Sequence, residues 1–164
     1  MWTTRAALAV LVAAAGCSAT DGDGGTVAVP SPGPAATKLC RELDRALPER
    51  VAGLDRADPS PDSVLTAGWE SPSVVLRCGV AQPPKMVDPR VAEGKDPDAV
   101  AGGVNGVDWL MEKADEGAHR FTTARRRVYV EVRVAAGQDT SAVLVDLAPA
   151  IKRAVPEGIA DQAG

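Results

Sequence analysis

The sequence predicts an α+β domain, a two-layer sandwich in which a mostly antiparallel sheet of about four to five strands is covered by an N-terminal and a C-terminal helix. Three observations point there. Apolar residues recur at spacings of three and four around residue 40 and again after residue 140. Between those stretches they alternate with polar ones, most cleanly at Val128, Val130, Val132 and Val134. Strands grouped between helices, rather than alternating with them one by one, belong to antiparallel layered folds.

The chain opens on an export signal. Arg5 supplies a small cationic start, Ala6 to Ala15 an apolar run, and Ala14-Ala-Gly-Cys17 the small residues a signal peptidase requires. Lipoprotein signals commonly carry Leu where this chain has Ala14, and the rest of the pattern fits. Residues 1–16 are therefore expected to be a lipoprotein signal peptide, with Cys17 the lipidated first residue of the mature chain. Ordinary secretion is the alternative; an uncleaved anchor is disfavoured, because the apolar run is far shorter than the twenty or so residues a membrane span needs. Residues 17–36 hold many Gly and Pro and no large side chain, so they are expected to form a disordered tether reaching roughly 25 Å. Asp21-Gly-Asp-Gly24 imitates the start of a calcium loop, but the later acidic ligands are missing and no metal is assigned to it.

The folded part is expected to span residues 37–157, followed by a C-terminal tail over 158–164. Leu39, Cys40, Leu43, Leu47, Val51 and Leu54 define the first amphipathic helix; Pro48 makes it stop near Leu47 or restart there and end at Gly53. Asp55 to Ser63 reads as loop. Trp69 to Val80 reads as a strand pair, or one bent strand, around Glu70-Ser-Pro72, with Val74, Leu76, Cys78 and Val80 on one face. Residues 81–106 read as one long connection, and such connections are functional or disordered. Val107–Lys113 and His119–Ala124 form a hairpin, and the valine-rich strand follows. A final helix starts from a cap at Asp139, Thr140 or Ser141, with Pro149 kinking or splitting it. Arg-Ala-x-Pro-Glu recurs at residues 45–49 and 153–157, and reads as proline closing two helices rather than as a repeat.

Composition excludes some functions. The formal net charge is −4 and falls further once Arg5 leaves with the signal, so nucleic acid is not an expected partner. Three cysteines in an exported chain divide as one plus two. With Cys17 lipidated, Cys40 on the helix and Cys78 on the strand both face inward and can meet in a disulfide, worth roughly 4 kcal/mol on the chain-entropy model. The competing reading, a catalytic cysteine beside His119, needs a free thiolate in a compartment that favours pairing.

Cys40-Arg-Glu-Leu43 with Ala46-Leu-Pro48, Trp69, Val75-Leu-Arg-Cys78-Gly79, Val107-Asp-Trp109 and Tyr129-Val-Glu-Val132 together resemble the small exported actinobacterial proteins of the domain-of-unknown-function family DUF 3515. The resemblance covers about residues 37–156. It implies an envelope location and brings no activity, cofactor or ligand with it.

Catalytic signatures are sparse. His119 is the lone histidine, so a multi-histidine zinc site is excluded and any Ser-His-Asp triad would depend on it. Gly102-Gly-Val-Asn-Gly106 lacks the Lys and Ser or Thr of a phosphate loop and reads as a loop entering a strand. Trp69 and Trp109 read as core. Arg125, Arg126 and Arg127 are the candidate binding residues, together with the Pro-rich segment from Gln82 to Asp98, although three charges fall short of a lipid-binding cluster. The expected role is a non-enzymatic binding or accessory module, lipid-anchored on the outer face of the cytoplasmic membrane, with an envelope protein as partner and no cofactor. A small hydrolase using His119 and a spacer without a ligand are the alternatives.

Overall fold

The computed structural model describes residues 25–160. The expected signal peptide over residues 1–16, Cys17, Asp21 to Gly24 and the last four residues lie outside the described residues. Within that span the tether expectation does not hold. Val27 donates its amide to Ser60 at 2.9 Å, Thr26 bridges Ser60 in parallel, and the Arg77 guanidinium donates to the Ala28 carbonyl at 3.3 Å. Without large side chains, this stretch is held by backbone pairing and proline packing, a source of order that composition does not register.

Helix α1 spans Pro34–Ala46. Pro34 suits the first turn because its missing N–H has no intrahelical acceptor there, and Thr37 returns its hydroxyl to the Gly33 carbonyl at 3.0 Å. The helix ends where Pro48 forces Leu47 into extended backbone, ψ 141°. No helix restarts. Arg50–Val51 (β1) and Leu54–Asp55 (β2) form a small hairpin across Ala52 and Gly53, both at positive φ, so Gly53 serves a tight turn rather than a helix end.

Six further strands make one antiparallel sheet: β3 Thr66–Trp69, β4 Val74–Cys78, β5 Ala99–Val104, β6 Val107–Lys113, β7 His119–Thr123 and β8 Val130–Val134, in the order β3-β4-β8-β7-β6-β5. The sheet is thus larger than the four to five strands expected. The additional strand is β5, inside the presumed connection, which also contains a 3-10 turn at Pro84–Val87 and the short helix α2, Pro89–Ala92. Asp88 caps α2 by accepting the Arg90 amide at 2.8 Å.

Helix α3 runs Thr140–Ala154, with Asp139 accepting the Ala142 amide. It continues through Pro149 instead of splitting. Proline removes the amide that would have bonded the Val145 carbonyl four residues back, and the Asn105 side-chain amide donates to that carbonyl at 3.4 Å. Arg153 donates to the Ala46 carbonyl, tying the ends of the two long helices together. Val143, Leu147 and Ile151 of α3, Cys40 and Leu43 of α1, and Leu76, Trp109, Phe121 and Val132 of the sheet share one apolar cluster. The Cys40–Cys78 disulfide lies inside it, Cα atoms 5.6 Å apart. The opposite side of the sheet carries cross-strand pairs, Arg77 with Glu131 and Arg120 with Glu112. A smaller cluster of Val91, Ala99 and Leu110 sits there beneath α2.

Candidate functional site

Among the described residues a groove of about 370 Å³ lies between residues 28–36, the end of β4 with residues 79–82, and the start of the valine-rich strand. Its construction begins at Gly79, φ +88°. A Cβ there would stand 2.5 Å from Pro32 Cγ, so only glycine lets the incoming chain lie this close to β4. Pro30 and Pro32 form one wall, and Val128 and Tyr129 form part of the other. Gln82 donates to the Tyr129 hydroxyl at 2.9 Å, which leaves the phenolic proton to be given elsewhere. Arg77 at the rim is shared between Glu131, 2.9 Å, and the Ala28 carbonyl. Ala160, expected in a free tail, also lines the groove and is buried.

The size matters to what can enter. Clefts for small molecules occupy roughly 300–1,000 Å³, so this one suits a few peptide side chains or a modest ligand. Its polar side chains are the Ser31 and Tyr129 hydroxyls, the Gln82 amide and an arginine already paired by a carboxylate. That set binds by shape and hydrogen bonding; it contains no nucleophile with an adjacent base.

The arginine triplet is divided. Arg126 is 5 % exposed and donates to the carbonyls of Val155 at 2.9 Å and Gly106 at 3.1 Å. It is an internal strut, because the C-terminal segment pairs along residues 125–127: Arg127 donates its amide to Pro156, Gly158 donates to Arg125, and Arg126 bridges Glu157. Arg125 and Arg127 are exposed, and Arg125 pairs with Asp108 on β6. That ion pair is open to water and contributes little to stability. The far end of the Pro-rich segment is anchored instead at Lys113, whose ammonium donates to the Pro97 carbonyl. Asp108 and Lys113 stand about 17 Å apart along the strand, so that end and the Arg125 pair do not form one surface.

His119 lies at the exposed start of β7, stacked on Phe121 with ring centroids 6.2 Å apart, outside the groove lining. Trp69 and Trp109 are both buried; Trp69 donates to the Pro48 carbonyl at 3.0 Å. Shifted titrations belong to the frame. The Lys85 ammonium, donating to the Asp96 carboxylate, holds that carboxyl below its usual range, and the Glu112 carboxylate raises Arg120. Among the described residues, no three His, Cys, Asp or Glu converge as metal ligands, and no helix is long and apolar enough to cross a membrane.

Composition and periodicity did not single out Arg77 or Tyr129, and Gln82 entered only as the start of the Pro-rich segment. Two of them stand within the quoted motifs Val75-Leu-Arg-Cys78-Gly79 and Tyr129-Val-Glu-Val132, so the one usable signal was those motifs.

The geometry defines a disulfide-stapled α+β domain with a neutral groove beside its incoming chain. The chain belongs to the family described as protein of unknown function (DUF3515), whose model matches residues 3–160. No curated protein and no solved structure matches it.

Proposed function

We propose that this protein is an exported, lipid-anchored accessory module of the cell envelope that binds a protein partner in the groove beside Gly79. The architecture behind it is read as a two-layer sandwich, with α1 and α3 forming one layer and the six-stranded sheet the other. The observation that carries the proposal is the groove's position. It is built from the residues that follow Cys17 by little more than ten positions, laid against the domain by Gly79, so an anchored chain would present it close to the membrane. The buried Cys40–Cys78 bridge supports an oxidising compartment, since such bridges rarely persist in reducing ones. His119 at an exposed strand start lacks the enclosed setting that the hydrolase reading requires.

Filling the groove tests the reading. Ala81 is exposed on its wall, so Ala81→Trp occupies the space without entering the core. Crosslinking in intact membranes is expected to capture a partner with wild-type protein and with His119→Ala, and to lose it with Ala81→Trp. Capture that survives Ala81→Trp removes the groove from consideration. Loss of function on His119→Ala in folded protein would favour the hydrolase instead.

A further inference from the structure

The side of the sheet opposite the long helices carries an arginine without a counter-charge. Two rows of side chains cross the strands there, one from Arg77 through Glu131 to Thr122, the next from Val75 through Arg133 and Arg120 to Glu112. Each glutamate is already taken. Glu131 accepts from Arg77 at 2.9 Å, and Glu112 accepts from Nε and Nη2 of Arg120 at 3.2 Å each. Arg133 is left between Val75 and another arginine, and among the described residues its guanidinium meets neither a carboxylate nor a carbonyl.

Residues directly opposed on neighbouring strands hold their Cβ atoms about 5 Å apart, and like charges so placed destabilise a sheet. Both arginines are reachable from solvent: Arg133 is half-buried, and the Arg120 side chain is 41 % exposed. A local conflict of this kind is characteristic of functional positions. Its location supplies the second observation. Tyr129 continues the pairing of β8 by accepting the Gly79 amide, so Tyr129, Glu131 and Arg133 alternate onto one side. Arg133 therefore stands about 13 Å along the strand from the Tyr129 wall of the groove, on the same side of the sheet.

We infer that the protein partner presents an acidic segment to this side, with an aspartate or glutamate carboxylate bound by Arg133 and Arg120 alongside. The inference rests on the groove reading above and adds the chemistry of the partner. A carboxylate matches the flat fork of Arg133 with two parallel hydrogen bonds, and the Arg120 nitrogen that Glu112 leaves free can give a third. A singly charged group suits the place better than a phosphate, because Glu112 and Glu131 flank it and repel a second negative charge. A membrane surface suits it less, since lipid-binding clusters gather about four to eight basic residues. An extended chain covers 13 Å in about four residues, so the partner's acid lies about four positions from the residue seated beside Tyr129.

The test uses the full-length exported protein and end-blocked pentapeptides, Leu-Ala-Ala-Ala-Glu and its reverse, each beside its glutamine counterpart, with binding followed by NMR shifts. In one order the glutamate peptide is expected to bind about fivefold more tightly than its counterpart, the scale of a solvent-reachable ion pair, and to shift both Tyr129 and the Arg133 Nε–H. Arg133→Gln should abolish that preference and leave the urea midpoint unchanged or higher, because it removes a like charge and no partner. Arg133→Lys should keep the preference in weakened form, and Ala81→Trp should remove binding of every peptide. Equal binding of acid and amide peptides overturns the inference and leaves the groove reading standing, whereas no binding of any peptide counts against both. A urea midpoint that falls with Arg133→Gln would make Arg133 a structural residue and overturn the inference as well. Phosphatidylglycerol vesicles held through Arg133, without a peptide preference, would give the site to the membrane instead. Asp21→Asn with Asp23→Asn should leave peptide affinity unchanged; a clear gain would mean that the chain's own acids hold Arg133, with the same consequence.

Discussion

Cys40 and Cys78 show how far single residues carry the structure. Each is buried, one on α1 and one on β4, and their bridge joins a helix to the sheet across 38 positions of chain. Exported protein should therefore contain no alkylatable thiol at either position under non-reducing peptide mapping. Cys78→Ala should lower unfolding free energy by about 2–5 kcal/mol, the usual cost of deleting a native bridge, read as a fall in the urea midpoint. Their pairing was legible because the count of cysteines and the inward faces of helix and strand restrict the choice. Arg126 was not legible. Beside Arg125 and Arg127 it reads as part of a basic surface, and its role as a strut follows from the C-terminal segment returning alongside it, a contact across 29 positions. Local charge cannot report whether a guanidinium will meet carbonyls arriving from elsewhere in the chain.

At the scale of elements, strong periodicity was reliable and weak periodicity was not. Val130–Val134 and the final helix stand where alternation and three-four spacing put them, whereas the first helix holds Leu39, Cys40 and Leu43 but stops before Val51 and Leu54, which share its spacing and sit in a hairpin. The β5 strand escaped notice because alanine and glycine carry little pattern; Asn105-Gly106, a turn pair favoured in two-residue hairpins, was the available signal. Proline in α3 illustrates the converse, a local rule offset by tertiary contact. If Asn105 compensates the carbonyl that Pro149 leaves open, Asn105→Gly should cost a few tenths to about 1 kcal/mol in wild type, since the bond is long and exposed. Pro149→Ala should stabilise the protein, by no more than about 3 kcal/mol. In that background Asn105→Gly should cost less, because the restored amide takes the Val145 carbonyl. A double-mutant cycle in urea measures the coupling, and strict additivity would mean that the side chain does not compensate.

For the whole molecule, the proposed anchor and the groove make one arrangement, and they can be tested separately. If Cys17 carries lipid, the exported protein should partition into detergent and Cys17→Ser should leave it in the aqueous phase. Wild-type protein found wholly in the aqueous fraction, with an N-terminus other than Cys17, would favour ordinary secretion. The groove would survive that result, since Gly79, Pro32 and Tyr129 assemble it without reference to the leader.

What the amino-acid order determined by itself was whatever depends on neighbours in the chain: the export signal pattern, the helix stopped by Pro48, the amphipathic strands, and the α+β class with its bridged cysteines. Tertiary structure alone decided the six-strand order, the packing of residues 25–33 onto Gly79, the burial of Arg126 and the place of β5 at the end of the sheet. These depend on pairing between distant segments whose backbone groups are chemically alike along the chain. Which amide meets which carbonyl is settled only when the whole apolar face is buried at once.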